Sequence, residues 1–227
     1  MTRRHHTECI EMRKLIALGV VGVSLLLTGT VSAQETYRIR LTNLTRGQIM
    51  SPAVIAAHSS QIRMFRVGRQ ASPALAALAE DADTSALTAA LDAAGADVTD
   101  YVVGDGVLMP GETKTYEITI AAGDYLSLAS MLVTSNDAFA GVDSYDLSGL
   151  MGRKSFTVPA YDSGSENNSE NCAYIPGPPC GNGGARDTKG REGFVHIHAG
   201  IRGDGDISKT NYDWRNPVMR VELLPGK

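Results

Sequence analysis

What this sequence is short of narrows its function before any motif is considered. Basic residues are outnumbered, 21 Lys and Arg against 25 Asp and Glu, so the chain lacks the basic face that nucleic-acid binding requires. It carries no Gly-x-Ser-x-Gly nucleophile elbow and no His-Glu-x-x-His zinc helix. Its Gly-rich stretch at 181–193 lacks the Lys-Ser/Thr pair of a phosphate loop. Asp162 and Glu166 form a carboxylate pair, but nothing in their setting marks either as an acid or a base. These absences argue against an enzyme and leave binding as the better expectation.

Long apolar runs are missing too. The run Leu15–Leu27 falls short of the ~20 residues that span a bilayer. It follows the basic pair Arg13-Lys14 and precedes a small-x-small pattern, Val31-Ser32-Ala33. That order is the order of a secretory signal peptide. The pattern places the start of translation at Met12 and the mature chain from about Gln34, giving a signal segment at 1–33 and one domain at 34–227. No Cys follows the cleavage pattern, which argues against a lipid anchor. Removing residues 1–33 leaves 17 basic and 23 acidic side chains, a formal charge of −6 that suits cation binding or plain solubility. No membrane span is expected in the mature chain.

Cysteine is scarce. Only Cys172 and Cys180 remain after the signal segment, bracketing Ala-Tyr-Ile-Pro-Gly-Pro-Pro. In an oxidising compartment the expectation is a disulfide pinning that loop, contributing roughly 2–3 kcal/mol.

What the sequence does have is β-pattern. Thr36–Asn43 and Thr113–Ile120 alternate apolar and polar residues, while Leu126–Val133 is apolar on both faces. Segments 53–58, 98–104, 156–161, 193–198 and 217–224 complete a set of short strands. Ser72-Pro73 opens a short helix over 74–80, and Asp83 precedes a second over 84–93 that stops at Gly95. The expected fold is therefore all-β, a sandwich with one or two short helices inserted between early strands. Two acidic loops follow apolar strands, 135–143 and 161–168. They gather hard oxygen ligands of the kind Ca²⁺ takes in sets of six to eight.

Ordered landmarks run along the mature chain: Leu41-Thr-Asn-Leu-Thr45, Gly47-Gln48, Ser51-Pro52, Asn136-Asp137-x-Phe139-x-Gly141-x-Asp143, Tyr161-Asp162-x-Gly164-x-Glu166 and Asp213-Trp214-x-Asn216-Pro217. Together they resemble the spondin N-terminal domain, from about Thr36 to Leu223. The resemblance implies a C2-like antiparallel β-sandwich with Ca²⁺ at one end. It implies Asp137 and Asp162 as ligands and Glu117 as the third, with Asp143 and Glu166 as outer candidates. It also implies extracellular recognition or adhesion, and here the expected partner is a surface protein or glycan. The signal pattern and the Ala-rich composition suggest a bacterial exported protein, secreted or periplasmic.

The histidines offer the alternative. His196 and His198, two apart on a strand, point to one face. With His58 they would form a Zn²⁺ or Cu²⁺ site and reopen metal-dependent enzyme chemistry.

Overall fold

Alternation sets the first sheet. The computed structural model describes residues 33–150, 152–181 and 184–226; the expected signal segment therefore lies outside the described residues but for its last position. The strands are β1 (Gln34–Asn43), β2 (Val54–His58), β3 (Val98–Val103), β4 (Thr113–Ala121) and β5 (Tyr125–Met131). Then come β6 (Ala138–Asp146), β7 (Lys154–Val158), β8 (Ala160–Asp162), β9 (His196–Ile197) and β10 (Met219–Pro225). They make a four-stranded sheet ordered β4-β1-β10-β7 and a six-stranded sheet ordered β3-β2-β5-β6-β8-β9. All these pairings are antiparallel. In β1, alternate residues Tyr37, Ile39 and Leu41 turn inward against Ile55, Leu128 and Val221 in the core between the sheets. The sandwich expected from the sequence is the observed fold.

The six-stranded sheet is buried on both faces. Its outer face, with Val54, Ala56, Ala129 and Phe139, packs under Leu75 and Leu78 of α1 (Pro73–Asp81) and Leu87 and Leu91 of α2 (Ser85–Ala94). This second layer explains why β2 is buried at all five positions and does not alternate. The Ser72 hydroxyl accepts the Leu75 N–H at 3.1 Å and caps α1. Ahead of α2, Asp83 accepts the Ser85 N–H at 2.9 Å, and Gly95 closes that helix.

Three expectations shift. The stretch 135–143, expected as a loop, turns back early, and its second half is β6, paired with β5 and β8. Pro159 divides the strand expected over 156–161 into β7 and β8, which belong to different sheets. The strand expected over 193–198 shrinks to two residues at the sheet edge.

A long connection, 163–195, joins β8 to β9. The Cys172–Cys180 disulfide forms within it, with the Cα atoms 4.9 Å apart. The Glu170 carboxylate ties it to the following turn through the N–H groups of Arg202, Gly203 and Asp204. Among the described residues no helix is long and apolar enough to cross a membrane.

Leu78 is fully buried between α1 and the sheet. Leu78→Ala should therefore lower unfolding free energy by about 2–5 kcal/mol. The check is a lower urea midpoint at an unchanged slope.

Candidate metal centre

Asp137 lies at the β5–β6 reversal. Ser135 shapes that turn, its hydroxyl donating to the Leu132 carbonyl at 2.6 Å and accepting the Ala138 N–H at 3.1 Å. The Asp137 side chain is fully buried. Its Oδ2 accepts the Ser163 hydroxyl at 2.8 Å and the N–H groups of Ser165 and Glu166 at 2.8 and 3.0 Å. Its Oδ1 is buried without a hydrogen-bond partner. One oxygen thus folds the loop, and the other faces inward unmatched.

Asp162 ends β8, with Ala138 of β6 opposite on one side and His196 of β9 on the other. Its Oδ1 accepts the Gly164 N–H at 2.7 Å, and its Oδ2 accepts the Asn168 side-chain amide. Gly164 has φ +67°, and a Cβ there would lie 2.4 Å from the Phe194 carbonyl oxygen. Only glycine fits that position without displacing backbone. Asn168 in turn accepts from His198 Nε2 at 2.9 Å, while His198 Nδ1 accepts the Gly200 N–H at 3.0 Å. That pattern fixes the tautomer, with the proton on Nε2. Burial pushes the His198 pKa down to about 4, so the ring is neutral.

Glu166 completes the acidic set. It is fully buried; Oε1 accepts the Asp187 N–H at 2.8 Å, and Oε2 has no partner. Burial raises the Asp137 pKa. Burial, then the Asp137 charge, raises Asp162 to about 7. Burial, with added repulsion from Glu80, Asp137 and Asp187, raises Glu166 to about 8. Two buried carboxylate oxygens without donors need either protons or a cation to offset their desolvation.

The other expected ligands stand elsewhere. Glu117 is exposed on β4, opposite Arg38 in the four-stranded sheet, and is not brought to Asp137 and Asp162. Its own alternation explains this, since Ile118 and Ile120 on the same strand take the inward face. Asp143 lies on β6 and caps the turn at 63–65, with Oδ1 2.8 Å from the Met64 nitrogen and Oδ2 3.1 Å from Arg63 Nη1. It is not an outer ligand of this centre. His58 is buried on β2 with both ring nitrogens engaged, by the Ser59 carbonyl and the Ser127 hydroxyl, each at 2.7 Å. It does not join His196 and His198. Those two do share a face, with Nε2 atoms 3.7 and 3.9 Å from the Asp162 carboxylate. Glu192, which the sequence did not single out, comes close enough that one ligand atom each from Asp162, Glu192 and His196 lies within 4.8 Å of the others.

The family model described as Spondin_N matches residues 36–175, more than half of the chain. The chain belongs to the spondin N-terminal family. No curated protein matches it. The spondin match takes in Asp137, Asp162 and Glu166 and stops before β9 and β10. The family's landmarks have structural work here. Asn43 Nδ2 donates to the Gln48 and Leu108 carbonyls at 2.7 and 3.0 Å, and the Gln48 amide spans to Thr134 and Tyr212. Gly47 passes so near Asn211 that a Cβ would meet its carbonyl oxygen at 1.9 Å. Family membership and the disulfide point to an extracellular setting.

The raised carboxylates set a pH dependence. Asp162 and Glu166 titrate near 7 and 8 in the folded state and near ~4 when unfolded. The folded state therefore holds the extra protons. Its advantage is complete below about pH 4 and is lost as pH rises through 7 and 8. His198 works oppositely, but only between about 4 and its unfolded ~6.5. Metal-free protein should thus lose stability from about pH 4 to 8, most steeply near pH 6.5–7 where His198 no longer offsets the loss, at up to ~1.4 kcal/mol per group per pH unit. Urea midpoints across that range are the check, and Asp162→Asn with Glu166→Gln should flatten the profile.

Proposed function

We propose that this spondin-family protein is an exported, calcium-binding recognition module with no catalytic role. The observation that carries this reading is the pair of buried, unpartnered oxygens, Asp137 Oδ1 and Glu166 Oε2. The Asp137 charge acts on both Asp162 and Glu166, and an ion would have to draw the three carboxylates together. Asp137, Asp162 and Glu166 would hold the cation, with Glu166 in the place that the sequence assigned to Glu117. An all-oxygen set selects a hard ion, and three acids exceed what a monovalent ion would offset. Bound calcium would supply positive charge to a buried acidic cluster and so tie its loops together. The side chains themselves do the positioning. Asp137 holds 163–166, Glu166 holds 187, and Asp162 sits between them.

The exposed stretch 188–194, which these contacts help to anchor, would supply the contact face beside the edge of the six-stranded sheet. Its partner is a cell-surface or matrix protein or glycan. The signal pattern at 1–33 supports export.

Calcium added to chelator-treated protein should raise the melting temperature, by the equivalent of about 2.7 kcal/mol at a hundredfold excess over Kd. Asp137→Asn and Glu166→Gln should each abolish most of that rise. Glu117→Gln should leave it intact. A melting temperature indifferent to calcium at pH 8 would overturn the reading.

A further inference from the structure

On the opposite flank of Asp162 stands a different donor set. His196 Nδ1 lies 3.0 Å from the Ile197 carbonyl oxygen and donates to it, which leaves the lone pair on Nε2. That Nε2 is shut off from solvent and has no hydrogen-bond partner. It faces Asp162 Oδ1 at 3.7 Å, beyond hydrogen-bonding range, and the Glu192 carboxylate lies within 4.8 Å of both. Three ligand atoms therefore converge within 4.8 Å of one another.

We propose that Asp162, Glu192 and His196 form a binding site for a divalent transition ion of the Zn²⁺ class, adjoining the all-oxygen site and sharing Asp162 with it. Imidazole together with carboxylate suits Zn²⁺, Ni²⁺ or Cu²⁺, whereas Ca²⁺ takes oxygen ligands. Spacing agrees. Two ligands on one tetrahedral Zn²⁺ at ~2.0–2.1 Å stand about 3.3 Å apart, so Asp162 and His196 need to approach by only a few tenths of an ångström. Glu192 is exposed and able to swing inward.

The supporting shell is in place. A metal-binding imidazole usually donates its other N–H to a carbonyl or carboxylate, as His196 does to Ile197. Asp162 is held by the Gly164 N–H and by Asn168, and Asn168 is held by His198. His198 is thus a positioning residue, its two nitrogens already committed. The Phe194 ring packs 5.3 Å from the His196 ring. A cavity of about 170 Å³ bordered by Asn168, Glu192, His196 and Arg202 leaves room for water or a ligand group at the remaining coordination position.

This site does not rest on the calcium reading, although Asp162 borders both. Glu192 and His196 lie outside the segment matched to the spondin family. Calorimetric titration with Zn²⁺ of chelator-treated protein reloaded with excess calcium should show one site. His196→Ala and the conservative Glu192→Gln should each weaken it at least tenfold while leaving the calcium-induced melting shift unchanged. Asp137→Asn should do the reverse. With Cu²⁺ as probe, the electron paramagnetic resonance spectrum should show one imidazole nitrogen, lost in His196→Ala. Zn²⁺ affinity equal in the original protein and both variants would overturn the proposal. So would a His196 ring found doubly protonated by ¹⁵N resonance in the presence of Zn²⁺, because Asp162 would then simply pair with an imidazolium.

Discussion

One carboxylate oxygen, Asp137 Oδ2, sets the course of the whole loop end of the molecule. It collects a hydroxyl and two N–H groups from 163–166 within a buried space. Bonds of this charge-assisted kind contribute about 1.5–3 kcal/mol each. The turn they enforce carries Glu166 inward, and Glu166 Oε1 then catches the Asp187 N–H. That second catch returns the chain from its long excursion in time to lay β9 beside β8, which brings His196 to Asp162. Arg186, paired with Glu80 and Asp81, ties the same stretch to α1. Each step depends on the one before it. A neutral residue at 137 would keep the shape but forfeit the charge that makes the donors converge.

The arrangement combines order with electrostatic tension. Asp137 is satisfied on one oxygen and unmatched on the other; Glu166 repeats the pattern. The donors organise the loops, and the unmatched oxygens keep open a demand for positive charge. The proposed cation site would use both: a framework that exists without the ion, and a reason for the ion to tighten it. The sequence named Asp137, Asp162 and Glu166, which the fold buries, together with Glu117, which it leaves exposed on β4.

How far the sequence could be followed depended on where each residue's neighbours came from. Strands with one solvent face, β1 and β4, declared themselves by alternation, and α1 by Ser72-Pro73. β6 did not. Covered over Ala138–Gly141 by the inter-sheet core on one face and the helical layer on the other, and rich in Ala and Gly, it offers neither alternation nor β-branched residues until Val142. Its acids made it look like loop. Asp137 and Asp162 were found because they stand in recognisable motifs. Glu117 was chosen by the same resemblance, against its own outward-facing position on β4. Glu192 had no signal at all. It reaches Asp162 only because a connection of more than thirty residues returns to the sheet edge, and no local pattern encodes such a return.

The last strand has a bearing on how the molecule comes to exist. β10 lies between β1 and β7, so residues 219–225 fill the interior of a sheet whose other strands all come from earlier in the chain. Contacts of such long sequence separation form slowly, since loop closure must be achieved before they contribute. Until β10 arrives, β1 and β7 have no common partner and the inner core, with Val221 and Leu223 as members, has a slot where they belong. Closure of the four-stranded sheet therefore waits on residues 219–225, however early the strands on either side are made.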